Sequence, residues 1–153
     1  MKDTHRVRRF TAIASHIPER AEVLLPVTGE TPASWPISLP ELEQKPRPLL
    51  LLPHAEPTEV TALVPDGPPR RFRWRGVTYE VAGAQGPERI ASEWWRDPLP
   101  FPPPLAGEDK KGAPTRDYYL VEDADGHRFW LYREGLYERE TIAVRWFVHG
   151  LFA

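Results

Sequence analysis

The chain has 153 residues, which is enough for one domain or for one domain with a tail. Its formal net charge is −2, from 20 basic and 22 acidic residues, and this balance argues against both a strongly basic polyanion binder and an acidic tail. It contains no cysteine, which excludes disulfide scaffolds, thiolate zinc sites and cysteine nucleophiles.

The start of the chain shows no targeting segment. Its first ten residues are basic, but no apolar run follows them, so a secretory signal is not expected. The longest aliphatic run, residues 49–52, is far shorter than the roughly 20 residues that a membrane-spanning helix needs. We therefore expect a soluble, cytoplasmic protein that does not bind membranes.

Nineteen prolines are the strongest anomaly of composition, because average usage is about 5% and this chain has more than twice that. Proline removes a backbone donor and fixes φ, so dense proline excludes long helices and central strands. One cluster punctuates residues 26–57, and a second fills residues 99–114 and predicts an exposed loop. We predict an extended arm or linker over residues 1–46 and a C-terminal β domain over residues 47–153 that carries the loop at 99–114.

Strand-like alternation begins in the middle of the chain. The stretch RRFRWR alternates strictly from Arg71, which would place Phe72 and Trp74 on one face and arginines on the other. Residues 77–81 continue with the same period. Residues 49–52 and 59–63 are plausible additional strands before this pair.

Two more alternating runs follow, at residues 117–122 and 128–133, and the Asp-Gly between them is a strong hairpin signal. Residues 143–152 end the chain as a β-branched and aromatic run. Helical periodicity is poor, and only residues 40–44 and 87–90 could each form one helical turn. The fold class we predict is mostly β, a small antiparallel domain in the form of a partly open barrel.

No arrangement of residues typical of catalysis or metal binding emerges. The histidines are far apart and lack metal-ligand spacing, and no serine lies in a G-x-S-x-G turn. Glu122, Asp123 and Asp125 cluster where a hairpin turn is predicted, and there aspartate serves backbone geometry. We therefore expect no catalytic residue, no metal and no cofactor.

Two adjacent tryptophans, Trp94 and Trp95, lie between charged residues in the segment GPERIASEWWRD. Neighbouring residues of a strand point to opposite faces, so we expect one indole in the core and the other at the surface. Tryptophan and arginine are favoured hot-spot residues of protein interfaces, so these residues and Arg96 predict a partner-binding surface. Further aromatic candidates for this surface are Trp130, Tyr132 and Trp146.

The basic and aromatic stretch RRFRWR offers an alternative site. Arginines on an exposed strand can contact phosphate and aromatic rings can stack on bases, which would make the chain a single-stranded DNA-binding module. The other interpretation is that the aromatic residues are core and the arginines form a solvated or edge-protecting face. The residues of this candidate nucleic-acid surface are Arg70, Arg71, Arg73 and Arg75.

Six segments together resemble the C-terminal region of the ImuB family, the Y-family DNA polymerase-like subunits of the bacterial mutasome. They are SHIPERA (15–21), RPLLLL (47–52), EVTALVPDGPPRRFRWRG (59–76), GPERIASEWWRD (86–97), TRDYYLVEDADGHRFWLYREGLY (115–137) and RWFVHGLFA (145–153). They occur in the family's order and cover nearly the whole chain.

The resemblance implies a noncatalytic adaptor domain in translesion synthesis and SOS mutagenesis, in contact with a RecA-like accessory protein or an error-prone replicative-type polymerase. It also implies that a little-finger-like region precedes the arm, and that the polymerase-like catalytic region lies outside this sequence. We therefore expect no enzymatic activity, with DNA as a secondary partner. Sliding-clamp binding is not expected, because Gln44 is followed by Arg47 where the clamp motif needs leucine.

Overall fold

The computed structural model describes residues 7–27, 45–64, 66–93, 95–96, 114–136, 139–140 and 143–153. The chain divides into two compact units, Met1–Pro46 and Arg47–Ala153, and each is described by itself. No helix of membrane-spanning length and hydrophobicity occurs among the described residues.

The first unit contains a two-stranded antiparallel sheet. Strand β1, Arg8–Ala12, pairs with β2, Glu22–Pro26, and a short 3-10 turn, Pro18–Arg20, lies between them. Phe10 lies opposite Leu24, and both are exposed. The sequence did not indicate this hairpin, because neither strand buries a side chain fully and no clear alternation marks it. Residues 1–6 and 28–44, including the candidate helical turn at 40–44, lie outside the described residues, so the extended arm stays a prediction.

The second unit is a closed barrel of six antiparallel strands, each paired with the next along the chain. The pairing of the first of these strands with the last closes the barrel. The predicted mostly β, antiparallel, barrel-like class is confirmed, and this pairing completes a barrel that was expected to be partly open. The strands are β3 (Leu50–Ala62), β4 (Pro69–Trp74), β5 (Val77–Ile90), β6 (Arg116–Asp123), β7 (Arg128–Glu134) and β8 (Arg145–Leu151).

Two of these strands are longer than the sequence indicated. The candidate strands at residues 49–52 and 59–63 are parts of the single strand β3. The helical turn predicted at residues 87–90 is wrong, because these residues belong to β5 and Glu88, Arg89 and Ile90 pair with β6. The neighbouring strand forms hydrogen bonds with backbone groups that an isolated helical turn would leave to water.

Of the proline-rich loop at 99–114, only residue 114 is described.

Tight turns fix the register of two neighbouring strand pairs. Arg75 and Gly76, between β4 and β5, have successive positive φ values of 49° and 80°, as a type I′ hairpin turn requires. Between β6 and β7, a carboxylate oxygen of Asp123 accepts hydrogen bonds from the backbone N–H groups of Asp125 (2.9 Å) and His127 (2.8 Å). The predicted hairpin at this Asp-Gly turn is confirmed.

The barrel interior is filled from alternate positions of every strand. Phe72 stacks on Tyr79 with ring centroids 4.8 Å apart and meets the edge of Phe129 at 5.1 Å. The inward direction predicted for Phe72 and Trp74 is confirmed, since both are buried. The other fully enclosed members of this core include Tyr119, Val121, Leu131 and Val148.

Candidate protein-interaction site

The double-tryptophan segment directly follows β5. Trp94 lies outside the described residues, whereas Trp95 exposes 57% of its surface. The backbone N–H of Arg96 donates a hydrogen bond to the Glu93 carbonyl oxygen at 2.8 Å, which closes a turn around Trp95. The Arg96 Nε also lies 3.6 Å from a carboxylate oxygen of the buried Glu93. The turn therefore presents the Trp95 side chain to solvent from an anchored backbone.

A network of charged side chains lies at the end of the barrel where β5 terminates. Asp117 and Arg133 are both buried and are joined by a hydrogen bond of 2.7 Å from Nη2 to Oδ2. Arg89 binds the same carboxylate through Nε at 2.7 Å and Nη2 at 2.9 Å. Asp66, in the loop between β3 and β4, lies 3.0 Å from Arg133 Nη1. The network thus joins this loop to β5, β6 and β7.

Two members of this network, Asp117 and Arg89, shift each other's pKa toward the ionised form. Burial raises the pKa of Asp117, but the hydrogen bonds from Arg89 and Arg133 outweigh it and the pKa is lowered from its usual value. The hydrogen bond to Asp117 in turn raises the pKa of Arg89. Asp117 is therefore a carboxylate at neutral pH although it is buried.

The other aromatic residues predicted for the partner surface are buried. Trp146 belongs to the barrel core and packs against Tyr119 with ring centroids 5.6 Å apart. Trp130 and Tyr132 point to the outer face of β7, where Tyr118 stacks on Trp130 at 4.1 Å. Because these three side chains offer little accessible surface, their role in partner binding stays a prediction. Among the described residues of the predicted site, Trp95 and Arg96 are the accessible ones.

The outer-face aromatic group is held by polar contacts as well as by stacking. The Tyr118 hydroxyl lies 2.8 Å from Nδ1 of His149, and both residues are buried. The guanidinium group of Arg47 lies 5.2 Å from the centroid of Trp130, and that of Arg116 lies 5.0 Å from the centroid of Tyr132. These aromatic and arginine side chains form a second packed layer on the outer face of the barrel.

The arginines of the alternative site lie on a surface of mixed charge. Arg70, Arg71 and Arg73 are exposed on β4. Arg73 pairs across the sheet with Glu59, and Arg71 Nη1 lies 3.9 Å from a carboxylate oxygen of Glu80. Acidic groups thus alternate with the arginines across this face, which weakens its attraction for phosphate.

Arg75 belongs to a tight local cluster at the β4–β5 turn. Its Nε and Nη2 bind the carboxylate of Glu56 at 2.8 and 2.5 Å. The same carboxylate accepts a hydrogen bond from Trp74 Nε1 at 2.8 Å, and the Arg75 guanidinium stacks 4.5 Å from the Trp74 ring. The hydrogen bond from Arg75 lowers the pKa of Glu56. This cluster stabilises the turn and leaves Arg75 less available to a phosphate.

One group of three potential metal-ligand side chains occurs among the described residues, namely Asp123, Asp125 and His127, with ligand atoms within 4.8 Å of one another. It coincides with the β6–β7 turn. Both oxygens of Asp123 are occupied there, one by two backbone N–H groups and the other by His127 Nδ1 at 3.0 Å. The cluster is therefore explained by turn geometry.

Sequence reasoning missed the buried charge network. The sequence does contain a sign of it. Asp117 on β6 and Arg133 on β7 occupy inward-facing positions of their strands, where an ionised side chain needs a partner. The partners come from β5 and from a loop more than fifty residues upstream of Asp117, which no local pattern indicates.

The chain is similar to one known domain family and to two curated proteins. A family model described as a domain of unknown function, DUF6504, matches residues 51–152, which contain nearly the whole barrel. Two curated proteins named Protein ImuB, from Caulobacter vibrioides strains NA1000 / CB15N and ATCC 19089 / CIP 103742 / CB 15, are each 41% identical over 97% of this chain. The chain spans about 30% of the length of these curated relatives. No solved structure matches the chain significantly. The resemblance to ImuB inferred from the sequence segments is confirmed.

Proposed function

The chain belongs to the DUF6504 family, and from this membership and its identity with ImuB proteins we propose that it is a noncatalytic adaptor domain in translesion DNA synthesis. It acts by protein–protein contact within a mutasome that serves SOS mutagenesis. Its partner is a RecA-like accessory protein or an error-prone replicative-type polymerase, as the resemblance implies.

The observation that carries this proposal is the exposed indole of Trp95. A tryptophan can bury on the order of 200 Å² when it is packed, so a side chain that is more than half exposed leaves much of that stabilisation unused. The turn that carries it is anchored by the buried Glu93, which limits the conformational entropy lost on binding. A rigid aromatic side chain beside an arginine is the usual composition of an interface hot spot.

Two buried charged clusters have structural explanations. Asp117 joins three elements of the barrel through its two arginine partners, and Asp123 organises the β6–β7 turn. Neither cluster leaves a carboxylate that is poised for acid–base chemistry. These uses support the noncatalytic role.

The proposal is tested by measuring the affinity of the purified chain for the purified accessory protein and for the purified polymerase, one at a time, by isothermal titration calorimetry. We expect one of them to bind, and Trp95→Ala to lower the affinity about 30-fold, which is the loss of roughly 2 kcal/mol typical of a hot spot. The melting temperature should change little, because the removed side chain is largely in water.

Val77→Ala is the matched control, because Val77 is an exposed apolar residue of β5 at the start of the strand. It should leave the affinity unchanged. If neither protein binds the chain, or if Trp95→Ala binds as tightly as the original chain, the adaptor proposal is wrong.

A second candidate is a single-stranded DNA-binding module that uses Arg70, Arg71, Arg73 and Arg75. The outward direction of Arg71 and Arg73 favours it. An oligothymidylate titration by fluorescence anisotropy discriminates the two, because affinity for a single strand falls with log salt at a slope of about −0.7 per phosphate contact. A steep slope that Arg73→Gln reduces would favour DNA.

A further inference from the structure

We propose that the end of the barrel where β3, β5 and β7 terminate docks an acidic segment of a partner protein that also carries apolar side chains. We call this region the arginine end, and it comprises Leu63, Val64, Arg89, Trp95, Arg96 and Arg145. The inference rests on the proposed adaptor function, and it adds the chemistry of the partner to it.

Topology brings these residues to one end of the barrel. Consecutive strands are antiparallel, so β3, β5 and β7 all finish at the same end, at Ala62, Ile90 and Glu134. The ion pair between Asp66 and Arg133 ties the loop after β3 to the end of β7 at 3.0 Å. The loop that carries Leu63 and Val64 and the segment that carries Trp95 therefore leave from this end of the barrel.

The ion pairs at the arginine end are asymmetric. In three of them the guanidinium group faces water while the carboxylate is shielded by the protein. The pairs, with the exposed fractions of the arginine and acidic side chains, are Arg89–Asp117 (54% and 1%), Arg96–Glu93 (40% and 1%) and Arg145–Glu134 (71% and 13%). An approaching molecule meets the cation first, and the fixed anion behind it contributes less to the potential outside.

The ion pair on the outer face of β4 and β5 lacks this asymmetry. Arg71 and Glu80, on the outer face of β4 and β5, are 55% and 70% exposed, so their charges largely cancel for an approaching ligand. At the arginine end, Asp66 is the reverse case, because it is exposed while its partner Arg133 is buried. Among the described residues of this end, the three outward arginines together with the exposed Arg70 and Arg139 outnumber the exposed acids Asp66 and Glu140. This end is therefore cationic, although the whole chain carries a net charge of −2.

Arg89 has N–H donors that its ion pair with Asp117 does not use. A guanidinium group has five N–H donors in a planar fork, and a bidentate carboxylate uses two of them. Arg89 uses Nε and Nη2 on Asp117, and its half-exposed side chain directs the rest of the fork toward solvent. A carboxylate of a partner can therefore bind the outer edge of an arginine whose inner edge is already fixed, which reduces the entropy lost on binding.

The apolar side chains at this end favour a protein segment over a nucleic acid. Leu63, Val64 and Trp95 are each more than half exposed. Aliphatic side chains pack against other apolar side chains but give no planar surface on which a base can stack. Among the described residues of the arginine end, Trp95 is the only exposed aromatic ring. Cations around an aliphatic and aromatic centre match an acidic segment with apolar anchors.

The test uses two fluorescent peptides that share the same leucine positions, with glutamate between the leucines in one and lysine in the other. Anisotropy titrations of the full chain should show at least tenfold tighter binding of the glutamate peptide. The double variant Arg96→Gln, Arg145→Gln should lower that affinity by about tenfold or more, since it removes two outward cations. The double variant Arg71→Gln, Arg73→Gln, an equal change of charge on the outer face of β4, is the matched control and should have no effect. Thermal unfolding confirms that all variants are folded.

Equal binding of the two peptides, no binding of the glutamate peptide, or an unchanged affinity in the double variant would overturn the inference. Binding of oligothymidylate that the double variant abolishes, without binding of the glutamate peptide, would identify a nucleic-acid surface instead. The adaptor proposal fails separately. If Trp95→Ala abolishes binding of the partner protein and the double variant does not, the adaptor function stands and the acidic-segment inference is wrong.

Discussion

The buried pair of Asp117 and Arg133 allows the sharpest prediction about stability. The Asp117→Ala variant leaves Arg133, whose side chain is 3% exposed, with Asp66 as its remaining carboxylate within the network. Removing one partner of a buried ion pair costs about 3–5 kcal/mol, because the other charge stays desolvated. Asp66 is exposed and compensates only in part, so we expect about 3 kcal/mol, the lower end of this range. For a domain of roughly 100 residues, that corresponds to a decrease of roughly 12–24 °C in melting temperature.

Urea denaturation followed by tryptophan fluorescence measures this loss directly. The double variant Asp117→Leu, Arg133→Met replaces both charges by apolar side chains of similar volume and should recover most of the stability. Arg71→Ala is the control for an exposed pair and should change the free energy of unfolding by less than about 0.5 kcal/mol. A loss below about 1 kcal/mol in Asp117→Ala, or a double variant as unstable as the single one, would refute the reasoning.

Four further results are expected. The folded pKa of Asp117 is lowered, so its contribution to stability is present above its unfolded pKa of about 3.9 and is lost as the pH falls through the folded value. An acid titration followed by circular dichroism should therefore show unfolding below about pH 4. The midpoint pH of this unfolding should be higher in Asp117→Asn, which lacks the contribution at every pH. Leu131→Ala should cost about 2–5 kcal/mol in urea denaturation, because Leu131 is fully buried in the barrel core. Gly150→Ala should cost about 1–3 kcal/mol in the same assay, because a Cβ there would lie 2.5 Å from Pro48 Cγ, and a stability equal to that of the original chain would contradict this contact. Tyr118→Phe should cost about 1 kcal/mol by thermal unfolding, since it removes the hydroxyl that contacts His149, and no loss would mean that this contact does not contribute to stability.

Local patterns were sufficient for much of the barrel. Strict alternation in RRFRWR placed Phe72 and Trp74 on one face, because period 2 is the geometry of a strand, and the interpretation of that face as core is confirmed. The Asp-Gly signal located the β6–β7 hairpin, because the left-handed conformation at Gly126 is one that glycine adopts without strain. Each of these predictions depends on residues that are close together in the sequence.

The pairing of strands that are distant in the sequence could not be predicted from local patterns. The β3–β8 pairing that closes the barrel joins Leu50 to Leu151, and no local signal specifies such a distant partner. Residues 87–90 looked like a helical turn because the proline and glutamate that begin them resemble a helix start, whereas β6 provides the pairing that makes them a strand.

The candidate site was predictable only in part. The pair Trp94-Trp95 drew attention through composition, and the exposure of Trp95 agrees with an indole at the surface. Composition could not distinguish Trp95 from Trp130, because it does not show which tryptophan is covered by packed neighbours; in the structure Trp130 is buried and Trp95 is exposed. The asymmetry of the arginine pairs was also invisible, since it depends on which member of each pair lies deeper.

Closure of the barrel brings the two ends of the domain together. Leu50 and Leu151 are direct neighbours across β3 and β8, and both lie at the end of the barrel opposite the arginine end. Domains whose termini lie close together tolerate circular permutation and insertion into a host loop. We expect that a short linker can join these termini and that new termini can be opened at the Arg75-Gly76 turn. We also expect that the barrel can be inserted into a loop of an unrelated protein with its arginine end facing away from the host.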